Sequence, residues 1–166
     1  ILGSSMIVVR IQQDEEERII LFSGDAGRRN KPILNDPTIF KKADYVLVEA
    51  TYGVRSHDPA EDISEKLAQV INDTKTTGGN VVIPSFAIER SQELLYHINQ
   101  LMIQDRIPHL MVFVDSPMAV RATEVFKRHP ELFDDEMKDY INKGESPFDF
   151  PGLVLVDTVE QSKAIN

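Results

Sequence analysis

Two carboxylates stand where apolar runs end. The stretch LFSGDAGR, residues 21–28, halts an apolar run at Ser23-Gly24 and then sets Asp25 between two glycines. The run YVLV, residues 45–48, finishes on Glu49. Both runs read as short β-strands, so each acid sits at a strand tip. In layered α/β folds the ends of strands are where sites are built, because a buried strand is a rigid post. Ser, Gly and Asp also dominate ordinary turns, and a strand-end Glu can simply cap one. Both readings stay open at the level of residue types. His57, beyond a TYG loop, is a further candidate, as chemically active imidazole or as a satisfied loop residue. The segment PSFAIERSQELL, residues 84–95, sets a serine and a helix start after an apolar run. Free N–H groups at such a start suit anions, so Ser85 and Arg90 are candidates for holding phosphate, against a capping Ser and a structural Arg.

The elements that position these residues fall into two stretches. MIVVRIQ (6–12) and RIILF (18–22) read as a strand pair around the acidic turn 14–17, and YVLV follows as a third strand. After residues 54–60 strands and helices alternate. A helix carries Ile63, Leu67, Val70 and Ile71, with Asp62 placed to open it, and NVVIP (80–84) reads as a buried strand. A long amphipathic helix starts near Ser85, with Leu94, Leu95, Ile98 and Leu101 as its core stripe. Strand LMVFV (110–114) leads through Ser116-Pro117, suited to starting a helix, into a helix reaching Arg128. A helical stretch around Glu136, strand LVLV (153–156) and a helix from Val159 complete the chain. Strands separated by helices argue a parallel sheet flanked by helices. The expectation is therefore an α/β chain made of two pieces, residues 1–57 and 58–166.

Bulk properties narrow the chemistry. With 166 residues, 42% hydrophobic and 27% charged, the chain can bury a core. No apolar run approaches the roughly 20 residues of a membrane span, and ILGSSMIVV lacks the basic start of a signal peptide. The absence of cysteine excludes disulfides and thiolate ligands and suits a cytoplasmic protein. A metal held here takes oxygen and imidazole nitrogen donors. The formal charge of −9 argues against a broad nucleic-acid surface but leaves room for a narrow basic cleft. Arg28, Arg29 and Lys31, then Lys41 and Lys42, then Lys127, Arg128 and His129 form local basic clusters, read as solvated faces.

Five motifs in one order carry a likeness: SGDAGR at 23–28, EATYGVRSH at 49–57, PSFAIERSQELL at 84–95, VDSPMA at 114–119 and EQSKAIN at 160–166. Together they resemble the β-CASP branch of the metallo-β-lactamase fold, RNA-processing nucleases of the bacterial and archaeal group. The resemblance implies part of a metallo-β-lactamase αββα domain over 1–57 and an inserted β-CASP domain over 58–166. It implies that Asp25 bridges two metal ions, a role its two oxygens allow at separations of about 3.5–4 Å. It implies that Glu49 hydrogen-bonds a histidine that protonates the leaving oxygen, and that His57 lies near the scissile region. Ser85 and Arg90 would then meet phosphate across an interdomain cleft.

The HxHxDH ligand motif of that family is absent, and His57, His97, His109 and His129 do not match its ligand positions. The resemblance thus implies an internal piece of a zinc-dependent ribonuclease, with two zinc ions in the parent and none expected on this piece, which by itself would be inactive. A zinc ion needs about four ligands, and one Asp cannot supply them. Single-stranded RNA is the expected partner, no membrane is, and a homodimer is compatible with the family. The alternative is a non-catalytic β-CASP scaffold or RNA-binding subunit. The presence of both Asp25 and Glu49 favours the enzyme.

Overall fold

The structure, a computed structural model, describes residues 1–54 and 63–165. The first stretch forms a three-stranded sheet. Strands β1 (Ile7–Gln13) and β2 (Glu16–Phe22) are antiparallel around a two-residue turn, with Gln13 opposite Glu16. Asp14 in that turn has φ of 52°, the left-handed geometry that two-residue hairpins require. Strand β3 (Tyr45–Leu47) joins β2 in parallel, Leu21 opposite Val46. Ser23 N–H donates to Leu47 C=O at 2.9 Å and carries that ladder one step beyond the strand.

The second stretch runs α1 (Ile63–Thr77), α2 (Arg90–Ile103), β4 (Val112–Asp115), α3 (Pro117–Arg128), α4 (Asp135–Asn142), β5 (Leu153–Val156) and α5 (Val159–Ile165). Strands β4 and β5 pair in parallel, Val112 with Leu153 through to Asp115 with Val156. Gly152, φ 94°, opens β5 against the carbonyl of Leu110, where a β-carbon would collide with backbone. Helix α3 starts as the Ser-Pro pair suggests. Ser116 Oγ accepts from Ala119 N–H and Pro117 occupies the first turn. Asp134 does the same for α4, accepting from Met137 N–H at 2.7 Å. Ser162 on α5 donates to Asp115 Oδ2 at 2.9 Å, so two of the five motifs meet at the end of β4.

The hydrophobic core lies almost entirely in this second stretch. Leu95, Leu101, Phe126, Phe133, Met137 and Phe148 are its most buried side chains, each at most 2% exposed. The stripe expected on α2 is met at Leu95, Ile98 and Leu101. From the first stretch Ile33 is the buried member among the described residues, with half-buried Leu2 and Leu34 packed against the cluster. Ile33 has φ of 83°, an outlying conformation for a β-branched residue. Its neighbours fix it there. Asp134 N–H donates to Ile33 C=O at 2.9 Å, Asn35 N–H donates to Leu132 C=O at 3.0 Å, and Leu34 bridges Phe133.

Two expected elements differ. Residues 80–84 form no strand, and Val82 is 85% exposed. A strand exists through its ladder partners, and among the described residues β4 pairs only with β5. Helix α2 begins at Arg90 rather than near Ser85. Ser91 Oγ donates to Phe86 C=O at 2.8 Å and Gln92 Nε2 to Ala87 C=O at 3.1 Å. These side chains occupy carbonyls that an earlier helical turn would need, and so hold residues 86–89 in an irregular turn. The division between 57 and 58, and Asp62 with it, falls outside the described residues.

Candidate active site

Asp25 sits on a loop pinned through its backbone. Ser4 Oγ donates to Asp25 C=O at 2.9 Å, and the next amide, Ala26 N–H, donates to Glu49 Oε1 at 3.0 Å. Ser23, only 5% exposed, ties the base of the loop. Its Oγ donates to Gly24 C=O at 2.7 Å and accepts from Glu49 N–H at 3.3 Å. Gly24 has φ of 56°, and a β-carbon there would lie 2.7 Å from Ser5 C=O. Glycine is thus required twice, for the left-handed turn and for the approach of residues 3–5. None of these contacts falls on the Asp25 side chain, and Asp25 is exposed.

Glu49 is brought beside Asp25 because β2 and β3 are neighbours in parallel, so their tips lie together. Its second oxygen, Oε2, accepts from Thr51 Oγ1 at 2.8 Å. A carboxylate offers about four lone-pair positions, so Glu49 retains acceptor capacity beyond these two bonds. Asp25 also lines a groove of about 450 Å³ with Ser4, Arg28, Lys31, Asp36 and Glu89 among its walls. Neither Ser85 nor Arg90 belongs to that lining.

The start of α2 holds a charge network instead. Glu89 Oε1 meets Lys31 Nζ at 3.2 Å. Glu93, 5% exposed, faces Lys31 at 3.7 Å and Arg90 at 3.4 Å. Glu89 occupies the position before α2 with φ of 68°. The first amides of α2 turn to backbone, Arg90 N–H to Ile88 C=O at 2.9 Å and Ser91 N–H to Phe86 C=O at 3.3 Å, and the Glu89 carboxylate makes no capping bond to them. Ser85 Oγ lies 2.9 Å from Ser91 Oγ, and Arg90 turns to Glu93. Sequence reasoning missed Lys31, Glu89 and Ser4, because their partners lie 58 and 21 residues away.

His57 lies outside the described residues. His129 Nδ1 pairs with Glu131 Oε1 at 2.8 Å, and His97 Nδ1 shares a hydrogen bond with Ser64. Among the described residues no three His, Cys, Asp or Glu stand close enough to hold a metal ion. Asp25 fits as one donor by its chemistry, an acceptor-only carboxylate left exposed on a braced loop. It does not make a centre alone.

Residues 91–166 match the model of the Beta-Casp domain, which spans α2 to the last helix. Ribonuclease TTHA0252 of Thermus thermophilus is 37% identical over 164 residues, covering 99% of this chain and 37% of that protein. The stretch 91–166 belongs to the Beta-Casp domain family. Other β-CASP relatives are the transcription termination factor FttA of Methanosarcina mazei, 34% identical over 88% of this chain and 23% of its own length, and the endoribonuclease YSH1 of Candida glabrata, 26% identical over 97% and 21%. This chain thus spans little more than a third of the first β-CASP relative and less than a quarter of the other two.

Proposed function

We propose that the chain is a segment of a longer, cytoplasmic, zinc-dependent ribonuclease that hydrolyses RNA phosphodiester bonds. Residues 1–57 are its strip of metallo-β-lactamase domain and 58–166 its β-CASP domain, with single-stranded RNA held in the cleft between them. The observation that carries this reading is Asp25, exposed at its carboxylate, braced at its backbone and set beside Glu49. The names of the relatives, two nucleases and a factor that terminates transcription, support RNA as the substrate class. The apolar side chains bared on β1 and β3, Ile7, Val9, Ile11 and Tyr45 to Val48, support the idea that further chain covers this sheet.

Asp25 would supply one carboxylate to a pair of zinc ions, which when bound contribute charge stabilisation and an activated water. Glu49 would orient an imidazole that gives its proton to the leaving oxygen, since a partner on one ring nitrogen fixes the tautomer of the other. The 166-residue chain alone would neither cleave RNA nor hold zinc firmly. The test is cleavage of end-labelled single-stranded RNA by the full-length protein, with and without a chelator. Cleavage abolished by chelation is expected. A zinc-loaded protein that leaves RNA intact would favour the scaffold reading instead.

A further inference from the structure

Both oxygens of Glu49 are engaged by the chain itself, one by Ala26 N–H and one by Thr51 Oγ1. The first of these bonds reaches the residue directly after Asp25, across 23 positions of sequence. On the other side of Asp25, Ser4 Oγ holds its carbonyl from 21 positions away. Between them Gly24 is pressed against Ser5 C=O, and buried Ser23 links Gly24 C=O to Glu49 N–H. Asp25 is therefore gripped before, at and after its own backbone, by two separate segments, residues 4–5 and Glu49, and by Ser23 of its own loop. An exposed glycine-flanked loop has no packing of its own to aim a side chain. The hydrogen bonds must do that.

We propose that Glu49 and Ser4 are positioning residues for Asp25, with Glu49 acting through the Ala26 amide as a neutral or charged acceptor alike, and Thr51 fixing the Glu49 rotamer. This rests on the reading of Asp25 as a metal ligand. Groups that orient a ligand from outside the coordination sphere are worth 10–100-fold in metal affinity as a rule of thumb, roughly. Glu49 on this account serves two ends of one reaction, because the carboxylate that braces the metal-binding loop has lone pairs left for an imidazole.

The experiment is zinc affinity of the full-length protein by chelator competition, with thermal melting as the check on folding. Glu49→Ala is expected to weaken zinc binding by about 10–100-fold, and Ser4→Ala by about tenfold. Glu49→Gln keeps an acceptor for Ala26 N–H and is expected to stay within about threefold of the parent. Should Glu49→Ala fail to fold, Ser4→Ala at an exposed position still decides. Asp25→Ala separates the two levels. If it lowers affinity while Glu49→Ala and Ser4→Ala leave it intact, the positioning role is overturned. A Gln variant as weak as the Ala variant overturns it too, by assigning the effect to charge. If Asp25→Ala itself binds zinc like the parent, the ligand reading falls and takes this proposal with it.

Discussion

Strand β1 and helix α2 are both rich in apolar residues, and they fare differently. In α2, Leu95, Ile98, Leu101 and Met102 are all buried against α1, α4 and the 107–150 region. In β1, Ile7, Val9 and Ile11 remain exposed, as do Tyr45, Val46 and Leu47 on β3. The second stretch is held by a packed core. The first is held by ladder hydrogen bonds and by a few anchors, chiefly Ile33 and the Lys31–Glu89 pair. Asp25 and Glu49, the residues proposed for chemistry, sit in the stretch held by ladder hydrogen bonds. Sites that must bind and release are commonly drawn from the less stable parts of a fold, and precision there comes from directed hydrogen bonds in place of packing.

Substitutions should separate the two regions by size of effect. Phe126→Ala removes a ring 1% exposed that meets Phe148 edge-on at 6.0 Å, and should cost about 3–5 kcal/mol in denaturant unfolding. Thr123→Val should cost about 1–3 kcal/mol, because fully buried Gln92 Nε2 donates to Thr123 Oγ1 at 2.9 Å and loses that acceptor. Val9→Ala in β1 should stay within about 0.5 kcal/mol. If Val9→Ala cost as much as Phe126→Ala, the contrast between cored and uncored regions would be wrong.

The pH should test the cored region by itself. Burial, with the Glu145 charge behind it, pushes the Tyr140 phenol up to about 12. Burial and the hydrogen bond to Glu136 raise Tyr96 further. The unfolded chain releases such protons near pH 10, roughly, while the folded core keeps them. Their contribution to stability is thus full below that pH and is lost as pH climbs toward the folded values. Phenolate absorbance should rise together with loss of the α2–α4 core. Lys31→Ala, which removes the cation facing Glu89 and Glu93, should accelerate amide exchange at residues 31–35 before exchange in α2 does. The reverse order would show that the Lys31–Glu89 pair is not an anchor.

Much of this was legible in local sequence. Helical stripes, the Ser116-Pro117 start and the strand LVLV at 153–156 are written in neighbouring residues, and the structure follows them. SGDAGR announced a tight turn carrying a carboxylate. What local pattern cannot carry is a partner. NVVIP has the composition of a buried strand, but no neighbour in the described residues gives it a ladder. The helix start slipped to Arg90 because Ser91 and Gln92 reach back to particular carbonyls. Ser4 looks like any loop serine until the fold sets it on Asp25 C=O.

The most direct test is Asp25→Asn in the full-length protein, reading zinc content and RNA cleavage on the same sample. This substitution keeps the size of the side chain and leaves the Ser4 and Ala26 bonds to the loop in place. The prediction is loss of bound zinc together with a fall in cleavage of more than about 100-fold. Full zinc occupancy with cleavage at the parent rate would show that the exposed carboxylate after Ser23-Gly24 holds no metal.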